Sequence, residues 1–316
     1  MREVRLDPVA VGLVLGFMAD RALGDPQRGH PVAGFGQLAV RLETRFHAHN
    51  RSRGGLAVGA LVATTAGIGL LERPLPTHAR AVAATVATWA VLGGRSLGRE
   101  GEAITSLLGD GDIAGARARI RNLVGRDPSA LSADEIARAC VESIAENSAD
   151  AVVAPLFWGA VAGVPGLLGY RAVNTLDAMW GHRNDRYREF GWAAARLDDV
   201  ANWVPARLAV ALNTVLAGPR DSRSVLRTVR RDAPAHPSPN AGPVEASWAA
   251  ALGVRLGGTN HYDGADEDRG HLGDGPPVTV DDIPRATRHL RRLSTLALVT
   301  LVSARLVLRQ RPKSSR

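Results

Sequence analysis

Three groups of acidic and amide side chains interrupt the apolar, alanine-rich middle of this chain. In chain order they are Glu142, Glu146, Asn147 and Asp150; then Asn174 and Asp177; then Asp198, Asp199 and Asn202. Spacings of three or four residues predict three helix faces. They are Glu142, Glu146 and Asp150; Tyr170, Asn174 and Asp177; and Arg196, Asp199 and Asn202. Carboxylate and amide oxygens without nearby cysteine suit a hard cation such as Mg²⁺. A solvated helix face is the alternative, but unpaired carboxylates among apolar residues are costly, so we expect a cation site.

The surrounding sequence predicts the elements that carry these groups. A capping box at Ser132–Glu135 predicts the start of the helix that bears the first group. The uncharged stretch 151–170 contains Pro155 and Pro165, which predicts a broken helix before the second group. Prolines and glycines predict irregular backbone over 236–264.

Composition excludes several kinds of chemistry. The formal net charge is +8, yet Lys313 is the only lysine, so no P-loop lysine, Schiff base or adenylated lysine is available. Any phosphate must therefore be held by arginine, by backbone N–H groups or by a metal. Aromatic residues make up only 4% of the chain and the arginines are scattered, which argues against nucleic acid as a partner. The single cysteine, Cys140, excludes a disulfide framework and a cysteine-based zinc site, and we expect it to be a packing residue.

Long uncharged runs favour a membrane protein. The runs 54–71 and 81–94 predict a helical hairpin, and 293–308 predicts a final apolar helix interrupted by Arg305. Arginine-rich segments between such runs are typical of the cytoplasmic loops of membrane proteins. We therefore predict an all-α fold: a polytopic membrane helical bundle with broken helices and polar cytoplasmic loops, forming one domain over 1–316.

Five sequence motifs occur in order between residues 20 and 264. They read DRALGDPQRGHPV, ENSADAVVAPLFWG, YRAVNTLDAMWGHRNDRY, FGWAAARLDDVANWVPARL and HPSPNAG followed by GVRLGGTNHYDG. Together they resemble the CobD/CbiB family of cobalamin biosynthesis proteins. The sequence departs from the family pattern at Ala178, Trp180 and His182, beside the acidic residue of the third motif.

The resemblance implies a multi-pass protein of the cell membrane with adenosylcobinamide-phosphate synthase activity. Such an acid–amine ligase joins the propionate carboxylate of adenosylcobyric acid to aminopropanol or aminopropanol phosphate, with ATP consumed. The implied cofactor is Mg²⁺ with ATP as substrate, and no tightly bound cofactor is predicted. Further expected partners are membrane lipid and other membrane-bound enzymes of the cobalamin pathway. Active-site loops are expected to face the cytoplasm, where ATP is found.

Amide formation needs an activated carboxylate, either an acyl phosphate or an acyl adenylate, and both routes develop charge that Mg²⁺ and arginine stabilise. The predicted metal ligands are Glu146, Asp150, Asp177 and Asp199. The predicted catalytic residues are Asp177, Asp198 and Asp199, with Asp198 as the base for the incoming ammonium. The predicted substrate contacts are Asp25, His30, Arg196, Arg207, His236 and Asn240, with Arg196 and Arg207 on phosphate. Asn174 and Asn202 could instead cap or cross-link helices.

Two other classes of function stay open from the sequence alone. Carboxylates within broken apolar helices are also found in transporters of cations or small molecules. A mean hydropathy of −0.05 is low for a polytopic membrane protein, which leaves a soluble helical scaffold as a third possibility.

Overall fold

A computed structural model describes residues 7–26, 29–125, 127–182, 184–262 and 265–310. The helices in this part of the chain are α1 (Pro8–Leu23), α2 (Pro31–Phe46), α3 (Arg51–Leu70), α4 (Thr77–Val91), α5 (Gly94–Gly109), α6 (Ile113–Ile120), α7 (Ala133–Ser148), α8 (Ala154–Ala162), α9 (Val164–Trp180), α10 (Trp192–Asp232), α11 (Ala241–Leu252) and α12 (Asp282–Gln310). A hairpin of β1 (Leu256–Tyr262) and β2 (Ala265–Leu272) separates α11 from α12. The prediction of a helical fold is confirmed.

The chain divides into two compact units. The first unit comprises Met1–Gly93, Ala154–Asn202 and Ala297–Arg316, and the second comprises Gly94–Val153 and Trp203–Leu296. The prediction of a single domain over 1–316 stays a prediction.

In the first unit, small residues allow helices to approach closely. A Cβ atom on Gly12 or Gly16 of α1 would overlap Ala84 or Thr88 of α4, so glycine is required at this contact. The runs predicted to form a helical hairpin are the helices α3 and α4, but these helices do not pack mainly on each other. Their main packing partners are α9 and α1, respectively.

The last helix is longer than the sequence indicated. The predicted apolar helix over 293–308 is the second part of α12, which continues through Arg305. Arg305 is buried, where its Nε donates to Asp7 Oδ1 at 3.1 Å and its Nη1 donates to the carbonyl of Ala160 at 2.6 Å. Asp7 also caps the first turn of α1. Because its charge and its donors are satisfied, Arg305 does not interrupt the helix.

The predicted break between the first and second acidic groups is confirmed. The capping box at Ser132 and Glu135 starts α7, which ends in a π-helical turn over Ala149–Val153. Gly163, with φ 70°, then separates α8 from α9. Single π turns often occur at functional sites because they re-aim side chains.

The hairpin was not expected from the sequence. Gly257 and Gly258 have φ 79° and 91°, and the register of the two strands shifts at this point. This register shift is a β-bulge. Because a bulge accommodates glycine within a strand, the segment forms a strand although its glycines predicted irregular backbone.

Within the described part of the chain, two helical segments are long and apolar enough to cross a bilayer. They are Arg51–Leu70 and Trp192–Ala235, the second with a kink at Gly218 (φ 78°) before Pro219. Membrane spans beyond these two, and the polytopic bundle as a whole, stay predictions.

Candidate active site

The second and third acid-and-amide groups meet in the first unit. Helix α9 presents Tyr170, and its hydroxyl donates to Oδ1 of Asn202 on α10 at 2.9 Å. The amide nitrogen of Asn202 donates in turn to Asp198 Oδ2 at 2.9 Å. Tyr170 and Asn202 are buried, so this chain of hydrogen bonds holds the Asp198 carboxylate in one orientation.

Asp198 faces a second carboxylate across the two helices. Asp177 repels the charge of Asp198, while Asn174 lies close enough to favour it. The Oδ1 atom of Asp198 is buried without a well-formed hydrogen bond among the described residues. No cationic side chain of the described chain is among the main groups that act on Asp198. Two nearby carboxylates with a free, buried oxygen fit a hard cation, since Mg²⁺ uses one or two carboxylates and completes its shell with water and phosphate.

Gly181 permits the position of Asp177. A Cβ atom at Gly181 would overlap both the side chain and the carbonyl oxygen of Asp177. The Gly181 N–H also donates to that carbonyl at 2.7 Å. Any other residue at this position would push the Asp177 carboxylate away.

Asp25 and His30, which belong to the motif DRALGDPQRGHPV, interact with helix α9 through Arg171. Arg171 of α9 donates to Asn174 Oδ1 at 3.3 Å. Arg171 and Asp25 both act electrostatically on His30, the residue that caps α2 by accepting the Val32 N–H at Nδ1. Burial lowers the pKa of His30 below its usual value, opposed by Asp25 and reinforced by Arg171. His30 is therefore neutral at neutral pH, and Arg171 connects it electrostatically to Asn174, which lies beside Asp198.

Asp199 lies on a different face of α10 from its neighbour. Its carboxylate pairs with Arg196 at 3.4 Å, and the Arg196 side chain is 66% exposed. The face of α10 that meets α9 is therefore made by Asp198 and Asn202. The predicted roles of Arg196 in phosphate binding and of Asp199 as a ligand stay predictions.

The first acidic group lies in the second unit and has a different environment. Glu142 Oε1 accepts from Arg138 at 3.1 Å and from the N–H of Gly257 at 2.8 Å. Burial raises the pKa of Glu146, the charge of Arg269 opposes this, and Glu142 adds to it. Arg138 thus pairs with Glu142, whereas Arg269 only partly offsets the effect of burial on Glu146. The four-residue spacing of Arg138 and Glu142 could have revealed their pairing, whereas nothing in the sequence links Arg269 to Glu146.

Three predicted substrate-binding residues also lie in the second unit. Arg207 donates to Asn240 Oδ1 at 2.8 Å, which orients its guanidinium. His236 is buried, and its Nε2 lies 3.6 Å from Oε1 of the fully buried Glu245. Glu245 lies between the two parts of the fifth motif, and the sequence alone does not indicate a role for it.

Taken by unit, the predicted site residues form two sets. The first unit contains Asp25, His30, Asp177, Arg196, Asp198 and Asp199, and the second contains Glu146, Asp150, Arg207, His236 and Asn240. Among the described residues, no three histidine, cysteine, aspartate or glutamate side chains form a metal-binding group by themselves. A cation shared by Glu146, Asp150, Asp177 and Asp199 stays a prediction.

Fold and site together define a class: a mostly helical protein in which a carboxylate pair, oriented by amides, lies between two helices. The chain belongs to the CobD/Cbib protein family, whose model matches residues 13–290. It is 48% identical to the cobalamin biosynthesis protein CobD of Mycobacterium tuberculosis over 307 residues, which cover 96% of this chain and 97% of that protein. The protein of the same name from Chromobacterium violaceum is 42% identical over 310 residues, covering 94% and 97%. That of Halalkalibacterium halodurans is 36% identical over 299 residues, covering 89% and 92%. No solved structure matches the chain.

Proposed function

We propose that this protein acts in cobalamin biosynthesis as an ATP-dependent amide ligase. It would join the propionate carboxylate of adenosylcobyric acid to aminopropanol or its phosphate. Family membership and the names of the relatives support the pathway. The observation that carries the reaction is the Asp177–Asp198 pair, held by Asn174 and Asn202 in the segments that bear the family's motifs.

The chemistry explains why such a pair is needed. A carboxylate does not react with an amine until its oxygen has become a good leaving group, and a phosphoryl group from ATP supplies one. Phosphoryl transfer to the carboxylate concentrates negative charge on the transferred oxygens, which must be neutralised. With no lysine in the described part of the chain, arginines and a divalent cation must do this.

Asp177 and Asp198 would hold the Mg²⁺ ion that accompanies ATP. This ion, when bound, neutralises phosphate charge and positions the phosphate for attack. The sequence predicted that Asp198 acts as a base. We assign it the role of a metal ligand instead, because a bound cation would offset the repulsion between Asp198 and Asp177. Arg171, hydrogen-bonded to Asn174 beside the pair, would contact substrate phosphate or carboxylate. His30, whose Nδ1 caps α2 and whose Nε2 therefore carries the proton of the neutral ring, would donate a hydrogen bond to substrate.

We also propose that the protein is anchored in the membrane by Arg51–Leu70 and by the apolar stretch of Trp192–Ala235 that precedes Gly218. Leu56 and Ile68 on the first segment are 73% and 56% exposed, which suits contact with lipid. Resistance to extraction by alkaline carbonate tests this part, since a peripheral protein would be released.

One assay tests the reaction. Membranes that contain the protein are incubated with ATP, Mg²⁺, adenosylcobyric acid and either amine, and products are identified by mass. We expect a product heavier by the amine minus water, formed only with ATP. The Asp177→Asn variant should remain in the membrane and form no product; near-normal turnover would refute the role of Asp177.

A further inference from the structure

The part of α10 after the kink at Gly218 carries a stripe of arginines. Arg220, Arg223, Arg227 and Arg230 recur at three- and four-residue intervals, and all four are exposed. The opposite face of this segment is buried through Val225, Thr228 and Asp232. We name these four residues the arginine stripe.

Among the residues that the structure describes, no acidic side chain neutralises the arginine stripe. None of its four guanidinium groups forms an ion pair or hydrogen bond with a described side chain, whereas neighbouring Arg231 pairs with Asp232 at 2.5 Å and Asp274 at 2.9 Å. Three members, together with Leu226 and Arg231, line a surface cavity of about 650 Å³. A concave surface with this much unpaired positive charge is suited to an anion, and arginine binds phosphate through two parallel hydrogen bonds.

We propose that the arginine stripe binds the headgroups of anionic phospholipids at the membrane surface. The inference rests on the membrane anchoring proposed above. Along the stretch 203–217 before the kink, Trp203, Val204 and Val215 of the same second unit are 56%, 45% and 66% exposed, and Leu226 within the stripe is 40% exposed. An exposed apolar segment followed by a row of arginines is the order expected where a helix leaves the hydrocarbon and enters the headgroup layer.

Soluble phosphates such as ATP share the phosphate chemistry, but the position of the stripe favours lipid. The arginines lie on an exposed helix face, and apolar side chains occur both before and within the stripe. A lipid satisfies both features, because its phosphate meets the guanidinium groups while its chains cover the apolar residues. A nucleotide would leave the apolar residues in water.

The test uses the full chain in neutral detergent, titrated with phosphatidylglycerol and with phosphatidylcholine of the same acyl chains. We expect tighter binding of phosphatidylglycerol. The double variant Arg223→Gln, Arg227→Gln should weaken its binding on the order of tenfold and leave phosphatidylcholine unaffected. The matched control is Arg288→Gln, Arg292→Gln, which removes two exposed arginines at the same four-residue spacing from α12 of the same unit. This control should bind both lipids like the unmodified chain.

Two results would overturn the proposal. One is equal loss of phosphatidylglycerol binding in both double variants, which would show a general effect of net charge. The other is binding of ATP that depends on Arg223 and Arg227 without any preference for phosphatidylglycerol. Product formation is measured on the same preparation, so a chain that makes product but shows no lipid preference refutes only the stripe. A chain that shows the preference but makes no product refutes only the proposed reaction.

Discussion

Two pairs of carboxylates in this protein look alike in sequence and differ in their surroundings. In the second unit, Glu142 pairs with Arg138 and accepts a backbone N–H, and the charge of Arg269 opposes the burial that raises the pKa of Glu146. In the first unit, Asp198 receives a hydrogen bond from the neutral amide of Asn202 and lies beside Asp177. Arginine is the partner of Glu142, whereas the main groups that act on Asp198 are neutral amides and other carboxylates.

The difference separates a structural carboxylate from a functional one. A buried ion pair with a backbone hydrogen bond crosslinks α7 to the hairpin, and its loss leaves groups without partners. Amide partners orient a carboxylate without neutralising it, which leaves its charge available to a ligand. Stability should therefore depend on Glu142, and activity on Asp198.

The largest effect is expected for Asp198→Asn. The substitution keeps the shape and the hydrogen bond to Asn202 but removes the negative charge, so product formation should fall at least about 1,000-fold. The apparent melting temperature in detergent should hardly change. Asp185→Asn is the control, since Asp185 is an exposed carboxylate of the same unit. If Asp198→Asn and Asp185→Asn formed product at comparable rates, Asp198 would not be a functional carboxylate, and the two carboxylate pairs would no longer differ in role.

The second largest effect is expected for substitution of Glu142, which belongs to the carboxylate pair of the second unit. Glu142→Ala removes the carboxylate that pairs with Arg138 and accepts the Gly257 N–H, which should lower the free energy of unfolding by about 2–4 kcal/mol. Glu142→Gln keeps an acceptor and should lose less. Denaturant unfolding in detergent measures both changes. If Glu142→Ala were as stable as the unmodified chain but had lost all turnover, Glu142 would be a functional carboxylate. That result would contradict the structural role assigned to it.

Acid should destabilise the second unit through His289. Burial lowers the pKa of His289 from 6.5 to about 4, and its Nε2 lies 2.8 Å from Asn213 Oδ1. The folded state therefore favours neutral His289, so this contribution is complete above pH 6.5 and is lost as the pH falls towards 4. The loss should amount to about 2–3 kcal/mol. Unfolding measured across this range should show a shallower pH dependence for His289→Gln, and an unchanged slope would contradict the assignment.

The smallest effect is expected for Gly181→Ala. Its methyl group would overlap the Asp177 carboxylate and displace it, which should lower turnover by about tenfold. Gly109→Ala is the control, because a Cβ atom there meets nothing within 4 Å. Equal rates for both variants would show that the position of Asp177 is not critical.

Local signals in the sequence predicted the elements well. The capping box at Ser132, the broken helix around Gly163 and the apolar helices α3 and α4 all follow from short-range chemistry. The prediction that Cys140 is a packing residue is also confirmed, since it is fully buried and burial raises its thiol pKa to about 12.

Long-range partners could not be predicted in this way. Trp180 departs from the family pattern, and the structure shows why it is accommodated: it is fully buried and donates to Glu43, 137 positions earlier, at 3.0 Å. Arg269 near Glu146 is a similar case. Helical spacing correctly grouped Asn174 with Asp177. It did not show that Asp198, and not Asp199, faces α9, because adjacent carboxylates satisfy the same periodic pattern.

The most direct test of the central claim is a measurement of cation binding. Mn²⁺ in place of Mg²⁺ can be titrated into the full chain in detergent and followed by its electron paramagnetic resonance signal. We predict a site that is lost in Asp177→Asn and in Asp198→Asn and is retained in Glu142→Gln. Unchanged Mn²⁺ binding by both aspartate variants would contradict the account.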